Sequence, residues 1–204
     1  FPFYYFFIIP IVNFASWLPA MLNGRSITCC LNVYLGQTET IDNLITRNFV
    51  NIYNFILGEN TVFIRNTGNI GYIGIILLAI IFLGISILVI IKKTNIEGEL
   101  LFLIGIWGVV ISTFLLPSMH ERYLIIADVL SIIYIIIYKK NVLIALGINA
   151  ISIYLYYIFL TGWKIPVIPP AIMAILFLVI VIYLTSYLLY KIIQTNKESE
   201  MKLS

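Results

Sequence analysis

Uninterrupted apolar segments of about the length of a bilayer core dominate this sequence. A transmembrane helix needs about 20 predominantly apolar residues, and the segments 70–91, 100–116, 142–160 and 171–190 approach or exceed that length. Charged residues make up only 10% of the 204 residues, whereas a soluble domain carries about 25%. The sequence therefore predicts an all-α, polytopic transmembrane helical bundle, and it excludes a soluble globular domain and a disordered segment.

The apolar pattern predicts about six spans, two of them unusual. The segment 1–22 contains Pro2, Pro10 and Pro19, so we expect its helix to be irregular or kinked. The segment 124–138 would rise only about 22 Å as a helix, so flanking residues must extend it across the bilayer. Because no Met stands at the start, we expect the chain to begin partway through a larger protein.

Four regions follow from this pattern. Residues 1–22 are a truncated first span, residues 23–69 form an extracytoplasmic loop, residues 70–190 form a five-span transmembrane bundle, and residues 191–204 are a cytoplasmic tail. The loop is too short for an independent hydrophobic core. We therefore expect its apolar pieces to lie as helices in the membrane interface.

Two such interfacial helices are predicted in the loop. Ser26 can cap the first one, and Gly36 can end it. The second covers residues 49–57 and ends at Gly58. Helices in this position commonly form the wall of a site at the bilayer surface, and they also occur as plain packing elements.

The basic residues separate by type across the predicted membrane. When the loops are counted alternately from the first span, one side holds the lysine pairs 92–93 and 139–140, and the other side holds every arginine. Positive residues in short loops mark the cytoplasmic side, so we place the lysine pairs in the cytoplasm. The arginines, together with Lys164, then lie outside the cell membrane. A planar guanidinium suits phosphate or carboxylate, which predicts a binding role for the outer arginines.

The segment 117–123, Pro-Ser-Met-His-Glu-Arg-Tyr, concentrates polar chemistry where one predicted span ends and the next begins. Ser118 and Glu121 are spaced as a capping box, so a helix start with free N–H groups is predicted there. Arg122 and a protonated His120 would strengthen the attraction for a phosphate at headgroup level. The alternative is that this segment only caps the helix and anchors it to the headgroups. The predicted substrate-binding residues are His120, Glu121, Arg122 and Tyr123.

Asp128 is an acid within the predicted short span. A continuous helix from Ser118 would place it about 15 Å deeper, near the middle of the bilayer, where an unpaired acid costs several kcal/mol. Trp107 on the preceding span is expected at the same depth, with an indole N–H that could donate to Asp128. We predict that both residues support the site. The alternative is that a protonated Asp128 only joins two helices by a hydrogen bond.

Other sequence signals for chemistry are weak. Cys29 and Cys30 are adjacent and lack ligand partners at metal spacing. The sequence contains no glycine-rich phosphate loop, no G-x-S-x-G elbow and no H-E-x-x-H pair. No metal ligand is therefore predicted.

Residues 116–124, Leu-Pro-Ser-Met-His-Glu-Arg-Tyr-Leu, are followed at 127–131 by Ala-Asp-Val-Leu-Ser. This string resembles the Met-His-Glu-Arg-Tyr block of bacterial integral-membrane glycosyltransferases related to the second mannosyltransferase of GPI-anchor synthesis. Upstream segments are similar to that family in order and approximate spacing, and they add Arg25 and Gln37 as supporting residues. These segments are Trp-Leu-Pro-Ala at 17–20, Gly-Arg at 24–25, Tyr-Leu-Gly-Gln at 34–37 and Asn-Ile-Tyr at 51–53.

The resemblance implies a GT-C type transferase that moves a hexose, such as mannose, from a polyprenyl-phosphate donor at the outer face. The acceptor would be a glycan or a lipid, and the chain would be the C-terminal part of the enzyme. No cofactor is implied beyond the lipid-linked sugar donor, and a divalent metal stays open. The family's catalytic acid lies in a first outer loop, so the catalytic base is expected outside this chain.

A transporter or flippase fragment is the alternative function. In it, Asp128 would be a proton or ion site and His120 a gate residue. A structural subunit without a site of its own is a third reading, and it leaves the outer arginines unexplained. In each case the lipid bilayer is a partner, and the net charge of +3 gives no indication of nucleic-acid binding.

Overall fold

A computed structural model describes residues 7–36, 44–58, 62–65, 69–162 and 168–201. Helices dominate it, and the sheet consists of one two-stranded ribbon. The predicted all-α bundle is therefore confirmed. In chain order the elements are α1 Ile8–Leu22, α2 Ile27–Gly36, β1 Leu44–Arg47, α3 Ile52–Leu57, β2 Phe63–Arg65, α4 Ile70–Ile91, α5 Gly98–Leu115, the 3-10 helix η1 Glu121–Leu124, α6 Ile125–Tyr138, α7 Val142–Leu160 and α8 Pro170–Met201.

Four helices among the described residues are long and apolar enough to cross a membrane, so the protein is membrane-embedded. They are α4, α5, α7 and the part of α8 from Pro170 to Gln194. Of the six predicted spans, the other two correspond to α1, with 15 residues, and α6, with 14. The 3-10 helix η1 runs directly into α6. Together they rise about 29 Å.

The described chain forms two compact units, Phe1–Asp42 and Asn43–Ser204. The boundary runs through the predicted loop 23–69, so the loop is not one structural region. In the first unit, α1 runs as one helix with Pro19 inside it, and Pro2 of the predicted first span lies outside the described residues. The predicted cap at the start of α2 is confirmed, because Ser26 Oγ accepts a hydrogen bond from the Cys29 N–H (3.2 Å). The predicted stop at Gly36 borders residues that lie outside the described ranges and stays a prediction.

In the second unit, the rest of the loop is packed rather than spread over the membrane interface. Phe49 is fully buried, and its ring lies 6.1 Å from that of Phe177 on α8. The helix α3 starts at Ile52, three residues after the predicted start. The reason is a capping box at Asn51, whose side chain accepts from the Tyr53 N–H at 3.1 Å. Gly58, with φ of 63°, ends α3 as predicted.

The helix α5 is central in this unit, because it packs against α4, α6 and α8. Its Trp107 lies edge-on to Phe82 of α4, and its Phe114 lies edge-on to Phe177 of α8. The helix α4 contacts the bundle along a narrow stripe and leaves most of its apolar surface exposed. Exposed apolar surface on this scale suits contact with lipid chains.

Glu99, near the start of α5, accepts hydrogen bonds from side chains outside its own helix. Its carboxylate accepts hydrogen bonds from Tyr134 of α6 (2.8 Å), from Tyr187 and Lys191 of α8 (3.2 and 3.1 Å), and from Lys140 (3.3 Å). Residue 191 lies inside α8, so the predicted tail 191–204 begins as a continuation of the last helix. We call these five residues the Glu99 cluster. It joins the end of the bundle that carries the lysines.

Candidate functional site

The turn between α5 and η1 is held by the ribbon strand β1. Leu116 has the extended backbone expected before a proline, and Ser118 is left-handed with φ of 58°. The Ser118 N–H donates to the Ile45 carbonyl at 2.8 Å, and its hydroxyl donates to the Leu44 carbonyl at 2.7 Å. Met119 then forms a parallel bridge with Thr46. The ribbon therefore fixes the backbone just before His120.

The predicted capping box of Ser118 and Glu121 is wrong. The Ser118 hydroxyl bonds to β1, and the helical turn starts only at Glu121, with His120 as an extended N-cap that makes no side-chain cap bond. The sequence spacing matched the motif, but the motif requires Ser118 to precede the helix directly. A neighbouring strand supplied a different acceptor for the hydroxyl.

Glu121 is the buried member of the predicted binding residues. It is 7% exposed, and its Oε2 atom has no hydrogen-bond partner in the described part of the chain. His120 Nδ1 lies 3.8 Å from that oxygen, which is longer than a hydrogen bond. The His120 side chain is 21% exposed. A buried carboxylate and a reachable imidazole therefore stand side by side at the turn.

Arg122 and Tyr123 lie at the surface of the same turn. The Arg122 guanidinium carbon is 6.0 Å from the centre of the Tyr123 ring, and that ring meets His120 edge-on at 5.7 Å. Such aromatic and cation–π contacts orient side chains without occupying their polar atoms. The structure thus brings the four predicted binding residues into one local group.

Burial and neighbouring charges shift the pKa of His120. Burial lowers the pKa of the imidazole, the Arg47 and Arg122 cations lower it further, and the Glu121 carboxylate opposes them. A lowered pKa favours the neutral ring rather than the protonated form that would add to the attraction for a phosphate. Any positive attraction at this turn comes from the two arginines.

Arg47 is the site residue that sequence reasoning missed. It is the last residue of β1 and is half-buried. Among the described residues, no carboxylate lies within 4.0 Å of Arg47 or of Arg122. The only sequence signal was that Arg47 lies on the side that holds every arginine, which does not single it out from Arg65. The pairing of β1 with the segment 118–119 brings it to the turn.

The structure does not test the two supporting residues from the first part of the chain. Arg25 is exposed between α1 and α2, in the other compact unit. Gln37 lies outside the described residues. Both assignments therefore stay predictions.

No metal centre is evident in the described ranges. They contain no group of three or more His, Cys, Asp and Glu side chains that could hold an ion. The side chains that could meet a ligand at the turn are two arginines, one imidazole and one carboxylate. That set suits a phosphate and a hydroxyl group better than a hard cation.

The predicted hydrogen bond from Trp107 to Asp128 is wrong. The Trp107 indole donates to Thr185 Oγ1 on α8 at 3.0 Å, while Asp128 Oδ2 accepts from the Ser152 hydroxyl on α7 at 2.6 Å. The two residues face different neighbours, because α5 turns Trp107 toward α8 and α6 turns Asp128 toward α7. Asp128 also lies in the first turn of α6, about 12 Å from Glu121 by helix rise.

Removing the Ser152 hydroxyl is expected to loosen the contact between α6 and α7. Asp128 Oδ1 already lacks a partner among the residues described, so Ser152→Ala leaves both carboxyl oxygens unsatisfied. Interhelical hydrogen bonds in membrane proteins average about 0.6 kcal/mol and reach about 1.7, and we expect about 1.5 kcal/mol here. Thermal unfolding in detergent measures this. Ser86→Ala on the exposed face of α4 is the control, and equal effects of the two variants would contradict the expectation.

Comparison with known proteins adds no relative. No protein-family model, no curated protein and no solved structure matches this chain.

Proposed function

We propose that this protein is a membrane glycosyltransferase that moves a hexose from a polyprenyl-phosphate donor to a glycan or lipid acceptor. The observation that carries the proposal is the pair of arginines, Arg47 and Arg122, both acting on the half-buried His120 and both without a carboxylate partner among the described residues. Guanidinium groups without a protein anion are suited to bind the anion of a ligand.

Sugar transfer from a lipid phosphate needs this chemistry. The bond between the anomeric carbon and the phosphate oxygen breaks, and negative charge grows on the departing phosphate. Fixed cations near that oxygen stabilise the transition state more than the bound donor. In this proposal Arg47 and Arg122 hold the phosphate, and Tyr123, with its exposed ring, stacks against the sugar or the first isoprene units.

The position of the turn fits a donor that is dissolved in lipid. It follows α5 and precedes the rod of η1 and α6, so it lies at one end of membrane-spanning helices. A polyprenyl phosphate keeps its headgroup at that level while its tail remains in the bilayer. In this proposal the site faces the outside of the cell membrane, because the lysine pairs lie at the opposite helix ends.

Removal of either arginine is expected to weaken donor binding at least tenfold. A charge-assisted hydrogen bond contributes about 1.5–3 kcal/mol, and a tenfold change in affinity corresponds to about 1.4 kcal/mol. The measurement is equilibrium binding of a radiolabelled polyprenyl-phosphate hexose to detergent-solubilised protein, for the wild type, Arg122→Ala and Arg47→Ala.

Arg65→Ala is the matched control for this experiment. Arg65 ends the paired strand β2, is exposed, and is not among the charges that act on His120. It should retain wild-type affinity. If Arg122→Ala binds the donor as well as Arg65→Ala does, the phosphate assignment is wrong.

A transporter or flippase is the second candidate, and one observation favours it. Asp128 Oδ1 lies against α7 without a hydrogen-bond partner in the described ranges, as expected for an acid that takes up a proton or ion. Liposome flux distinguishes the two functions. A transporter depends on an ion or proton gradient and on Asp128, whereas sugar transfer requires only the donor and the acceptor.

A further inference from the structure

We propose that His120 is the general base of the reaction and that Glu121 is its positioning residue. The inference rests on the proposed transferase function and deepens it. The resemblance implies a base located outside this chain, whereas the geometry points to a base within it. The base would be the His120 imidazole, whose Nδ1 atom faces the buried carboxylate of Glu121.

The first argument is the arrangement of the two side chains. Glu121 is 7% exposed, and its Oε2 atom, which has no hydrogen-bond partner in the described ranges, lies 3.8 Å from His120 Nδ1. With Nδ1 on the carboxylate side, Nε2 is the nitrogen left to meet a substrate. Catalytic hydrogen bonds are often long without substrate and shorten when the complex forms. A carboxylate behind an imidazole orients the ring and stabilises its charged form.

The second argument is that the backbone holds His120 in place. The two residues before it are tied to β1, by the two hydrogen bonds of Ser118 and by the bridge from Met119 to Thr46. The residue after it starts η1, and the Tyr123 N–H donates to the His120 carbonyl at 3.1 Å. A residue that only anchors a helix to headgroups does not need this degree of fixation.

The third argument is the protonation of His120. The charged groups that act on it are Glu121 beside it, Arg47 from β1 and Arg122 from η1, and the Tyr123 ring meets its edge. Burial and the two cations outweigh the carboxylate and lower the pKa of the imidazole. A neutral imidazole at physiological pH can accept a proton, whereas an imidazolium cannot.

The reaction step balances with these groups. His120 Nε2 takes the proton of the acceptor hydroxyl, and the oxygen's electron pair forms the new bond to the anomeric carbon. The bond from that carbon to the phosphate oxygen breaks, and its electron pair stays on the phosphate beside Arg47 and Arg122. The imidazolium is stabilised by Glu121 and later returns its proton to solvent.

The first test uses the fact that His120 is the only histidine among the 204 residues. With a purification tag that lacks histidine, its ring resonance can be followed by NMR in the full protein without assignment. We expect a titration midpoint below that of a free histidine. Arg47→Gln and Arg122→Gln should raise the midpoint, and Glu121→Gln should lower it. A midpoint that does not respond to Glu121→Gln would overturn the proposed pairing.

The second test separates binding from catalysis. His120→Gln should bind the donor like the wild type and lose about 10²- to 10⁴-fold in kcat, the usual contribution of a general base. Glu121→Gln should lower kcat by a smaller factor and should shift the acidic limb of the rate profile to lower pH. In the wild type, the rate should rise as pH increases through the His120 pKa and should level off above it. Glu97→Gln, an exposed carboxylate near α5, is the control.

The outcomes of these tests distinguish the two proposals. Wild-type transfer that persists in His120→Gln, with an unchanged pH profile, overturns the base assignment and leaves the transferase standing. No transfer by the wild type from any lipid-linked hexose overturns the transferase, and the base assignment with it. If His120→Gln unfolds, His120→Asn and rescue of its rate by added imidazole decide the question, since rescue requires a missing base. Absence of rescue in a folded His120→Asn would overturn the assignment.

Discussion

Gly74→Ala is expected to destabilise the protein by about 3 kcal/mol, at the upper end of the usual cost of overpacking. A β-carbon on Gly74 of α4 would meet the hydroxyl of Tyr53 and the backbone carbonyl of Leu115 closer than any real contact allows. The Tyr53 hydroxyl donates to that carbonyl at 2.9 Å, so the methyl group would also break a buried hydrogen bond, which contributes about 1 kcal/mol.

The same contact connects the fold to the candidate site. Leu115 is the last residue of α5, and the turn that carries His120 begins directly after it. Burial raises the pKa of Tyr53 to about 12, so its hydroxyl remains a donor at physiological pH. Gly74→Ala should therefore also reduce donor binding, because displacement of Tyr53 moves both α3 and the end of α5.

Gly84→Ala is the matched control on the same helix. A β-carbon there meets nothing within 4 Å among the described residues, and alanine is more favourable than glycine in a helix by about 1 kcal/mol. In thermal unfolding in detergent, Gly74→Ala should therefore lower the Tm relative to the wild type. Gly84→Ala should leave the Tm unchanged or raise it. Equal Tm values for the two variants would contradict the close approach.

Glu99→Ala is expected to destabilise the bundle by about 2 kcal/mol. The carboxylate accepts hydrogen bonds from Tyr134, Tyr187 and Lys191 at 2.8–3.2 Å, so its loss leaves several half-buried donors without this acceptor. Removing one partner of a fully buried ion pair costs about 3–5 kcal/mol. The side chains of Glu99 and Lys191 are 19% and 18% exposed, which lowers the expected cost.

The members of the Glu99 cluster should differ in their contributions. Glu99→Gln retains an amide oxygen for the tyrosine donors and should cost less than Glu99→Ala. Lys191→Met should cost more than Lys140→Met, because the Lys140 side chain is 52% exposed and exposed ion pairs contribute about 0–1 kcal/mol.

Glu97→Ala is the control for the Glu99 cluster. It is an exposed acid two residues away, and it makes no side-chain cap bond at the start of α5. Thermal unfolding of each variant in detergent gives the Tm values to be compared. If Glu97→Ala lowers the Tm as much as Glu99→Ala does, the cluster has no special role in stability.

Local sequence rules succeeded where the physical cause is local. Ser26 caps α2 and Gly58 ends α3, because caps depend on the conformation of a few adjacent residues. The predicted span 100–116 also ends within one residue of the end of α5 at Leu115. The segment that follows it was identified as the candidate site because it places four polar or amphipathic residues between two apolar runs.

The same rules failed where a partner from another element decides the outcome. Ser118 has the spacing of a cap, but β1 supplies the acceptor for its hydroxyl. The predicted hydrogen bond between Trp107 and Asp128 was based only on their similar depth in the membrane. In the structure Trp107 bonds to α8 and Asp128 bonds to α7. Helical spacing tells how deep a residue lies along its own helix, but it does not tell which neighbour its face will meet.

The sequence by itself determined that this protein is a helical membrane protein with a polar turn at 117–123. Apolar segments long enough to cross a bilayer have no other stable state there, because a helix satisfies its backbone hydrogen bonds internally. Only the tertiary structure brought the charge of Arg47 to bear on His120, buried Glu121 next to the imidazole, and directed four hydrogen-bond donors to Glu99. These contacts depend on strand register and helix rotation, which arise from packing between segments distant in sequence.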